Sequence, residues 1–589
     1  MSSRKDKKAL SMKDALEEIT HSQKALKKTT KEKRGYDFRD WLWSYPVNFE
    51  RAFKKSSPLS FILLFVLIAF GIFTFLTSEL FANVFFPKKK NVFVEGNVGA
   101  ISTFNPLFIS QNPVDSDIQA LVFEKFIDIS NEGDPLPKIA TDWKQSEDGV
   151  TYDFTISQDH VWQDSEPLTI DDILFTFEVS KELAQKLNYD TVGIPLVDVA
   201  IEKISDTELR FTLPERNATF FEAISIYIVP KHRFEDIRLE DIPFDSFAKF
   251  PLGSGPFEVY RSEPNVVYLR ASEYYKPIPK IQTFIYRLYS DYSSLEAAFR
   301  NGILDAIGGT DAASMGYISE YSGYSVYSET IYPRVKMIFF NTRTEKYKSR
   351  DIRLALNLLI DKDRLLQEAN LIGEPAYGPI PESSWAYSEK ETQKHLFNQQ
   401  KASELLKNIG YTKNEESGYF ETEDRKILNL TLSYYECSLN TRLVNTLKDI
   451  LFEEGIILEL EPLTYTQLTQ EIVATRDFEL LLFEIETTID PDQYNLWHSL
   501  KSDYPDLNIS GYSYERIDIL LEEARRTIAR EKRTESYALF QKYFTQDMPV
   551  IFLYYPNYTY IVRSTIDIPE MPHFVYPCQR FENISSWSY

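Results

Sequence analysis

The chain is poor in cysteine and histidine, and each shortage closes off a class of protein. Its two cysteines, Cys437 and Cys578, cannot form the multi-bridge framework of a small secreted domain, and their spacing does not say whether they pair. The six histidines, His21, His160, His232, His395, His498 and His573, are scattered without paired metal-ligand spacing. No His-Glu-x-x-His, Gly-x-Ser-x-Gly or Gly-x-x-x-x-Gly-Lys-Ser/Thr occurs, which removes the commonest signatures of zinc hydrolases, serine hydrolases and phosphate-binding loops. Chain order does not exclude a catalytic group assembled by folding, but the pattern asks for no enzyme, cofactor or metal. Positive charge is short as well. The 65 Lys and Arg face 88 Asp and Glu, which argues against nucleic acid as a partner.

Charge is missing altogether between Lys55 and Glu79. The centre of that gap, Leu59 to Thr77, is nearly all apolar and long enough, at about 1.5 Å per residue, for a helix to cross roughly 30 Å of hydrocarbon. A membrane-spanning helix is expected over residues 58–82. The alternative, a cleaved secretory signal, sits badly with a run that begins so far into the chain and has no Ala-x-Ala-like site after it. Residues 1 to 57 hold 15 Lys/Arg against 8 Asp/Glu, a net of +7, which leaves −30 for the rest of a chain whose total is −23. The basic side stays inside, so a cytoplasmic tail at 1–57, a single pass and an extracytoplasmic body in a cell membrane are expected, despite Lys88, Lys89 and Lys90 on the far flank. Within the tail, Met12, Leu16, Ile19 and Leu26 share one helical face, and Trp41, Trp43 and Tyr45 suit an interfacial belt.

The body, about 500 residues, is too large for one core and is expected to split into two or three domains. Strand-like alternation at Thr151 to Ser157 and Glu208 to Leu213 mixes with helical spacing at Thr169 to Leu187 and Ser349 to Ala369, which implies an α/β architecture. Asp477 to Ile485 holds a continuous apolar core, the pattern of a parallel strand covered on both faces. Open α/β sheets bind ligands beyond the carboxyl ends of their strands, a position that falls here on Glu486-Thr-Thr-Ile-Asp490-Pro.

A collinear set of short motifs runs through this body. It comprises Val94-Glu-Gly96, Thr103 to Phe108, Pro137 to Trp143, Asp148-Gly149, Tyr152-Asp-Phe154, Val161-Trp162, Leu168 to Ile173 and Phe175-Thr-Phe177. Further on stand Gly253-Ser-Gly-Pro-Phe257, Phe339-Phe-Asn-Thr342, Asp351 to Leu356, Ile360-Asp361, Ala402 to Gly410, Pro491, Asp518 to Ala524 and Met548 to Ile551. In order and spacing the set resembles the family 5 extracellular solute-binding proteins, the peptide and oligopeptide receptors of ABC importers, over about residues 91 to 565. The resemblance implies a two-lobed periplasmic-binding-protein-like fold of type II, in its three-domain peptide-binding variant. Domain I would comprise 91–130, 251–336 and 556–589, domain II 131–250 and domain III 337–555, with two crossing segments near Lys336 to Asn341 and Phe552 to Tyr558. It further implies hinge closure on a peptide ligand and delivery to permease subunits driven by cytoplasmic ATPases.

The resemblance also implies a site, with departures. Where peptide-binding members carry an Asp for the ligand's α-ammonium, this chain has Thr487, which can accept a hydrogen bond but lacks the charge. Glu484, Glu486 or Asp490 could supply a carboxylate from a neighbouring position, or the ligand has no free amine there; solvation and helix capping are the plainer roles for these acids. Ser110 occupies a loop position that touches ligand in related receptors, and Tyr377 and Trp497 could wall the cleft. Trp162-Gln-Asp-Ser165 replaces the family's usual His-Asp-Gly after tryptophan and is expected to alter a turn. Gly253 and Gly255 are expected to allow unusual backbone angles, and Asp351 to cap a helix. A transporting receptor, a sensing receptor that signals through the tail, and a ligand-free scaffold of the same fold all fit these residues.

Overall fold

Two crossing segments, one a continuous strand and the other a short link between strands, organise the body. The structure, a computed structural model, describes residues 91–110, 112–309 and 323–589. The expected tail at 1–57 and membrane span at 58–82 lie outside those residues. Among the described residues no helix is long and apolar enough to cross a membrane.

The main sheet holds twelve strands: β1 (Val92–Val98), β2 (Phe257–Glu263), β3 (Val266–Ala271), β4 (Thr283–Tyr289), β5 (Ala306–Gly308), β6 (Tyr324–Thr330), β7 (Arg334–Phe340), β8 (Gly373–Pro375), β9 (Asn429–Tyr435), β10 (Ile457–Leu463), β11 (Leu480–Glu486) and β12 (Val550–Arg563). Their order is β10-β9-β11-β7-β12-β5-β1-β4-β3-β2, with β6 and β8 also paired to β12. Strands β1 to β6 belong to the first lobe and β7 to β11 to the second, and β12 serves both. Its first residues pair with β7 and its last with β5 and β6. The exchange falls at Pro556, whose missing N–H suits a point where one partner strand gives way to another. The outward passage lies at Ile331 to Pro333, between β6 and β7, ahead of the segment expected near Lys336 to Asn341, which runs from within β7 to just past its end. The expected two-lobed α/β architecture is therefore present.

The helices named below are α1 (Pro113–Val122), α2 (Ile170–Leu187), α3 (Phe220–Ile224), α4 (Arg350–Leu358), α5 (Lys362–Glu368), α6 (Glu515–Arg526) and α7 (Arg530–Asp547). The expected helix at 349–369 is α4 and α5, divided where Asp361 turns its side chain to accept the Arg364 N–H. Ser349 caps α4 by accepting the Asp351 N–H, so Asp351 is a first-turn residue and not the cap. The expected strands at 151 and 208 are Thr151–Ile156 and Glu208–Thr212, part of a separate four-stranded sheet under α2.

Alternate residues of β11 fill two cores. Leu480 and Leu482 join one with Ile338 and Leu432, while Leu481 and Ile485 join the other with Phe339 and Trp497. Both faces are covered, as the unbroken apolar run requires. The strand runs parallel to β9 and antiparallel to β7. Gly253 and Gly255 do not have positive φ. They are needed because a Cβ at either would stand 1.9 or 2.6 Å from main-chain atoms of Val122. Gln163 holds the same turn, accepting from Gly253 N and donating to Phe257 O, and Ser165 takes the positive φ of 79° in the altered Trp162-Gln-Asp-Ser turn. Cys437 and Cys578 are both free thiols.

Candidate functional site

Antiparallel register between β7 and β11 sets Arg334 opposite Glu486 and Lys336 opposite Glu484. Period-2 geometry puts all four side chains on one face, beside the passage between lobes. Arg334 donates to Glu486 from Nη2 at 2.6 Å and from Nε at 3.1 Å, and Lys336 meets Glu484 at 2.9 Å. Burial works against charge on Glu484, but Lys336 and Arg334 overcome it and hold the carboxyl below its usual range. Burial likewise opposes charge on Arg334, and Glu486 and Glu484 outweigh it, raising the guanidinium above its ordinary value.

Glu484 keeps 34 % of its side-chain surface open and Arg334 23 %, yet protein closes around both almost completely. Both side chains are thus partly open within a dense surround, beside the passage between the lobes. The first lobe contributes Tyr227, Tyr576 and Cys578, each half-buried and each enclosed in the same way. Burial pushes the Cys578 thiol up to about 11 and the Tyr576 phenol well above its ordinary value. Arg580 pins the segment that carries these two residues. Fully buried, it pairs with Glu95 of β1 at 2.6 Å and Asp117 of α1 at 2.5 Å.

Thr487 ends β11 by donating both its N–H, at 2.7 Å, and its hydroxyl, at 3.0 Å, to the carbonyl of Pro333. Its own carbonyl accepts the Tyr576 hydroxyl at 3.2 Å. The residue therefore ties the second lobe to the passage and to the first lobe.

Beyond Thr487 the lobes meet along a seam. The Asp490 N–H donates to the Glu222 carboxylate on α3 at 2.6 Å, and the Ala218 N–H to the Arg525 carbonyl at 2.8 Å. Arg526 pairs with Glu215 and Arg530 with Asp134, both at 3.1 Å. The Asp490 carboxylate itself is held by Arg533 of α7 at 2.7 and 2.6 Å. Burial and the nearby Asp490 push Glu222 up to about 7. A separate polar crevice of about 350 Å³, bounded by Leu196, Arg216, Tyr494 and Arg525, opens on this seam.

The residues singled out from sequence thus fall in different places. Glu484, Glu486 and Thr487 gather at the hinge, and Asp490 lies in the seam. Ser110 is a loop brace in the first lobe, donating to Asp115 at 2.8 Å. The ring of Tyr377 lies under Lys362 at 4.5 Å, whose ammonium also donates to Ala376 O. Trp497 is sealed in the second lobe's core, 1 % exposed, against Phe339 and Phe544, with Nε1 donating to Gln493. Sequence reasoning missed Arg334, Lys336, Tyr227, Glu222, Tyr576 and Cys578. A signal existed only for the first two: cations spaced by two at the head of one apolar strand match acids spaced by two at the foot of another.

Two lobes joined by two crossing segments, with a polar patch beside the crossing, make the architecture of a solute-binding protein. Residues 134–506 match the model of bacterial extracellular solute-binding proteins, family 5 Middle, and the chain belongs to that family. Its relatives bind solutes and are not enzymes. The chain is 22% identical over 509 residues to the oligopeptide-binding protein AppA of Bacillus subtilis, spanning 85% of this chain and 92% of that protein. The structure of AppA with a nonapeptide superposes with a TM-score of 0.70 at 22% identity, covering 84% of this chain and 98% of the other. NikZ of Campylobacter jejuni, in complex with Ni(L-His), gives 0.71 at 22% identity, covering 85% and 100%. DppA of Helicobacter pylori, in complex with the peptide STSA, gives 0.69 at 20% identity, covering 83% and 97%.

Proposed function

We propose that this chain is a membrane-anchored, extracytoplasmic receptor that captures peptides between its lobes and delivers them to an ABC importer. The observation that supports the reading is the arrangement at the hinge, where the partly open Arg334, Glu484 and Glu486 of one lobe lie near Tyr576 and Cys578 of the other. A guest buried there contacts both lobes and so favours the closed arrangement by its differential affinity for it. The resulting shut form is what the permease subunits read. Peptide as the guest is supported by AppA and DppA, both described with peptides bound. An extended main chain offers strand-like hydrogen bonds that tolerate varied side chains. The anchor is read from the uncharged run within 58–82, with the basic tail cytoplasmic and the acidic body outside. Glu484, Glu486 and Thr487 are the ligand-facing residues of this reading, with Ser110, Tyr377, Asp490 and Trp497 in supporting positions.

Native mass spectrometry of the full chain, purified from its own cells in detergent, tests this directly. Peptides released on denaturation are expected, and a preparation that carries none and shows no thermal shift against a peptide library would remove the reading. Protease accessibility in whole cells, with residues 91–589 cut and 1–57 protected, tests the orientation.

A further inference from the structure

If the guest is a peptide, as proposed above, the charges at the hinge decide which part of it is read. Arg334 and Lys336 stand against Glu486 and Glu484, so two cations and two anions cancel within one patch. Arg334 also lies 3.7 Å from Glu484, which ties the two rungs together. Further along, Asp490 is held through both oxygens by Arg533, and Glu222 receives the Asp490 N–H. The hydroxyl and N–H of Thr487 both go to Pro333. Each carboxylate named at the hinge and the seam therefore already has a partner inside the protein.

At the hinge an incoming α-ammonium meets two acids whose charge Arg334 and Lys336 already balance. Its attraction to either acid is offset by repulsion from the cation beside it, with a net close to nothing. The first-lobe side includes the phenols of Tyr227 and Tyr576 and the un-ionised thiol of Cys578, which favour flat, neutral groups, and Lys125 over the Tyr227 ring is already paired with Asp128. We infer that this receptor grips peptides by their interior, through main-chain bonds and neutral side chains, and is indifferent to a free amino terminus.

Matched pools of nonapeptides built from Ala, Leu, Ser and Tyr, one with free and one with acetylated amino termini, are titrated against the full chain by calorimetry. The two Kd values are expected to agree within about threefold. A preference of about tenfold or more for the free amine overturns the inference while leaving peptide capture intact. Binding of neither pool overturns peptide capture, and this inference with it. Lys336→Met leaves Arg334 alone to balance Glu484 and Glu486, an excess of one negative charge, so this variant is expected to acquire a preference of about tenfold for the free amine, and Lys336→Met with Glu484→Gln to lose it again. A Lys336→Met protein that binds peptide without gaining that preference also overturns the inference, since Glu484 would then not face the guest.

Discussion

The N–H of Ile331 donates to the carbonyl of Pro556 at 2.9 Å, joining the outward passage between the lobes to the returning one. Two residues on, the Pro333 carbonyl receives both donors of Thr487. The hinge is thus a pair of crossing segments, each stiffened by a proline, with the foot of β11 fastened between them. Rotation about it would move the four charges at the head of β7 and the foot of β11 relative to Tyr576 and Cys578 of the first lobe.

Pro556→Ala tests the stiffness of this hinge. The substitution keeps the strand conformation but widens the unfolded ensemble, so a loss of about 0.4–1 kcal/mol in stability is expected. A larger open population should accompany it. Denaturant unfolding gives the first quantity. Energy transfer between fluorophores at exposed Ser205 and Glu416, one on each lobe, gives the second. An unchanged transfer efficiency would place the flexing elsewhere.

Arg580→Met should be among the most damaging single changes in the body. It leaves the carboxylates of Glu95 and Asp117, both fully buried, without their shared cation. Breaking a buried pair from one side costs about 3–5 kcal/mol. Arg580→Met, Glu95→Leu with Asp117→Asn is expected to recover much of that loss, because no uncompensated charge then remains. Thermal unfolding of the single and triple variants distinguishes this pairing from mere loss of packing volume.

Much of the fold was legible because it rests on local pattern. The apolar run of β11 announces a strand covered on both faces, and the alternation at Thr151–Ile156 and the spacing at Ile170–Leu187 announce their elements directly. Boundaries set by single side chains were less legible. Asp361 divides one helical pattern into two helices, and Gly253 and Gly255 answer to the Val122 main chain, not to their own φ. The site was half legible. Its acids lie at the foot of an apolar strand, where they can be found by rule. Their cations lie 152 positions away at Arg334, reached only through cross-strand register. Tyr576 and Cys578 come from a C-terminal segment without regular pattern, placed by the buried Arg580 contacts. Trp497 misled because an aromatic beside an acidic loop fits a cleft and a core equally well in sequence.

Trp497→Ala accordingly should act on stability and leave ligand affinity to the folded protein unchanged. The indole is 1 % exposed and packs on Phe339 and Phe544, so truncation costs about 3–5 kcal/mol through lost burial and the cavity left behind. Denaturant unfolding measures the loss. An affinity that falls more than stability does would return this residue to the cleft.

Closure should strengthen on acidification, and Glu222 is the group that makes it so. In the shut form its carboxyl is enclosed with Asp490 and Asp492 nearby and is pushed up to about 7 from an ordinary value of 4.5. The cations of the seam, Arg533 and Arg525, are engaged by Asp490 and Asp492, and the neighbouring Tyr576 phenol stays neutral throughout this range. Opening withdraws Asp490 and readmits water, which returns Glu222 towards its ordinary value. The shut form therefore binds more protons between those two values. Its advantage is complete below about 4.5 and is lost as the pH rises through about 7. The closed-to-open ratio should fall by at least about tenfold, the worth of one pH unit, between pH 5 and 8. Glu222→Gln keeps an oxygen for the Asp490 N–H and carries no charge. This variant should hold the closed ratio of the acid form across the whole range. Energy transfer between the same two lobe positions reads both proteins, and a pH slope that survives in Glu222→Gln would assign the titration to another group.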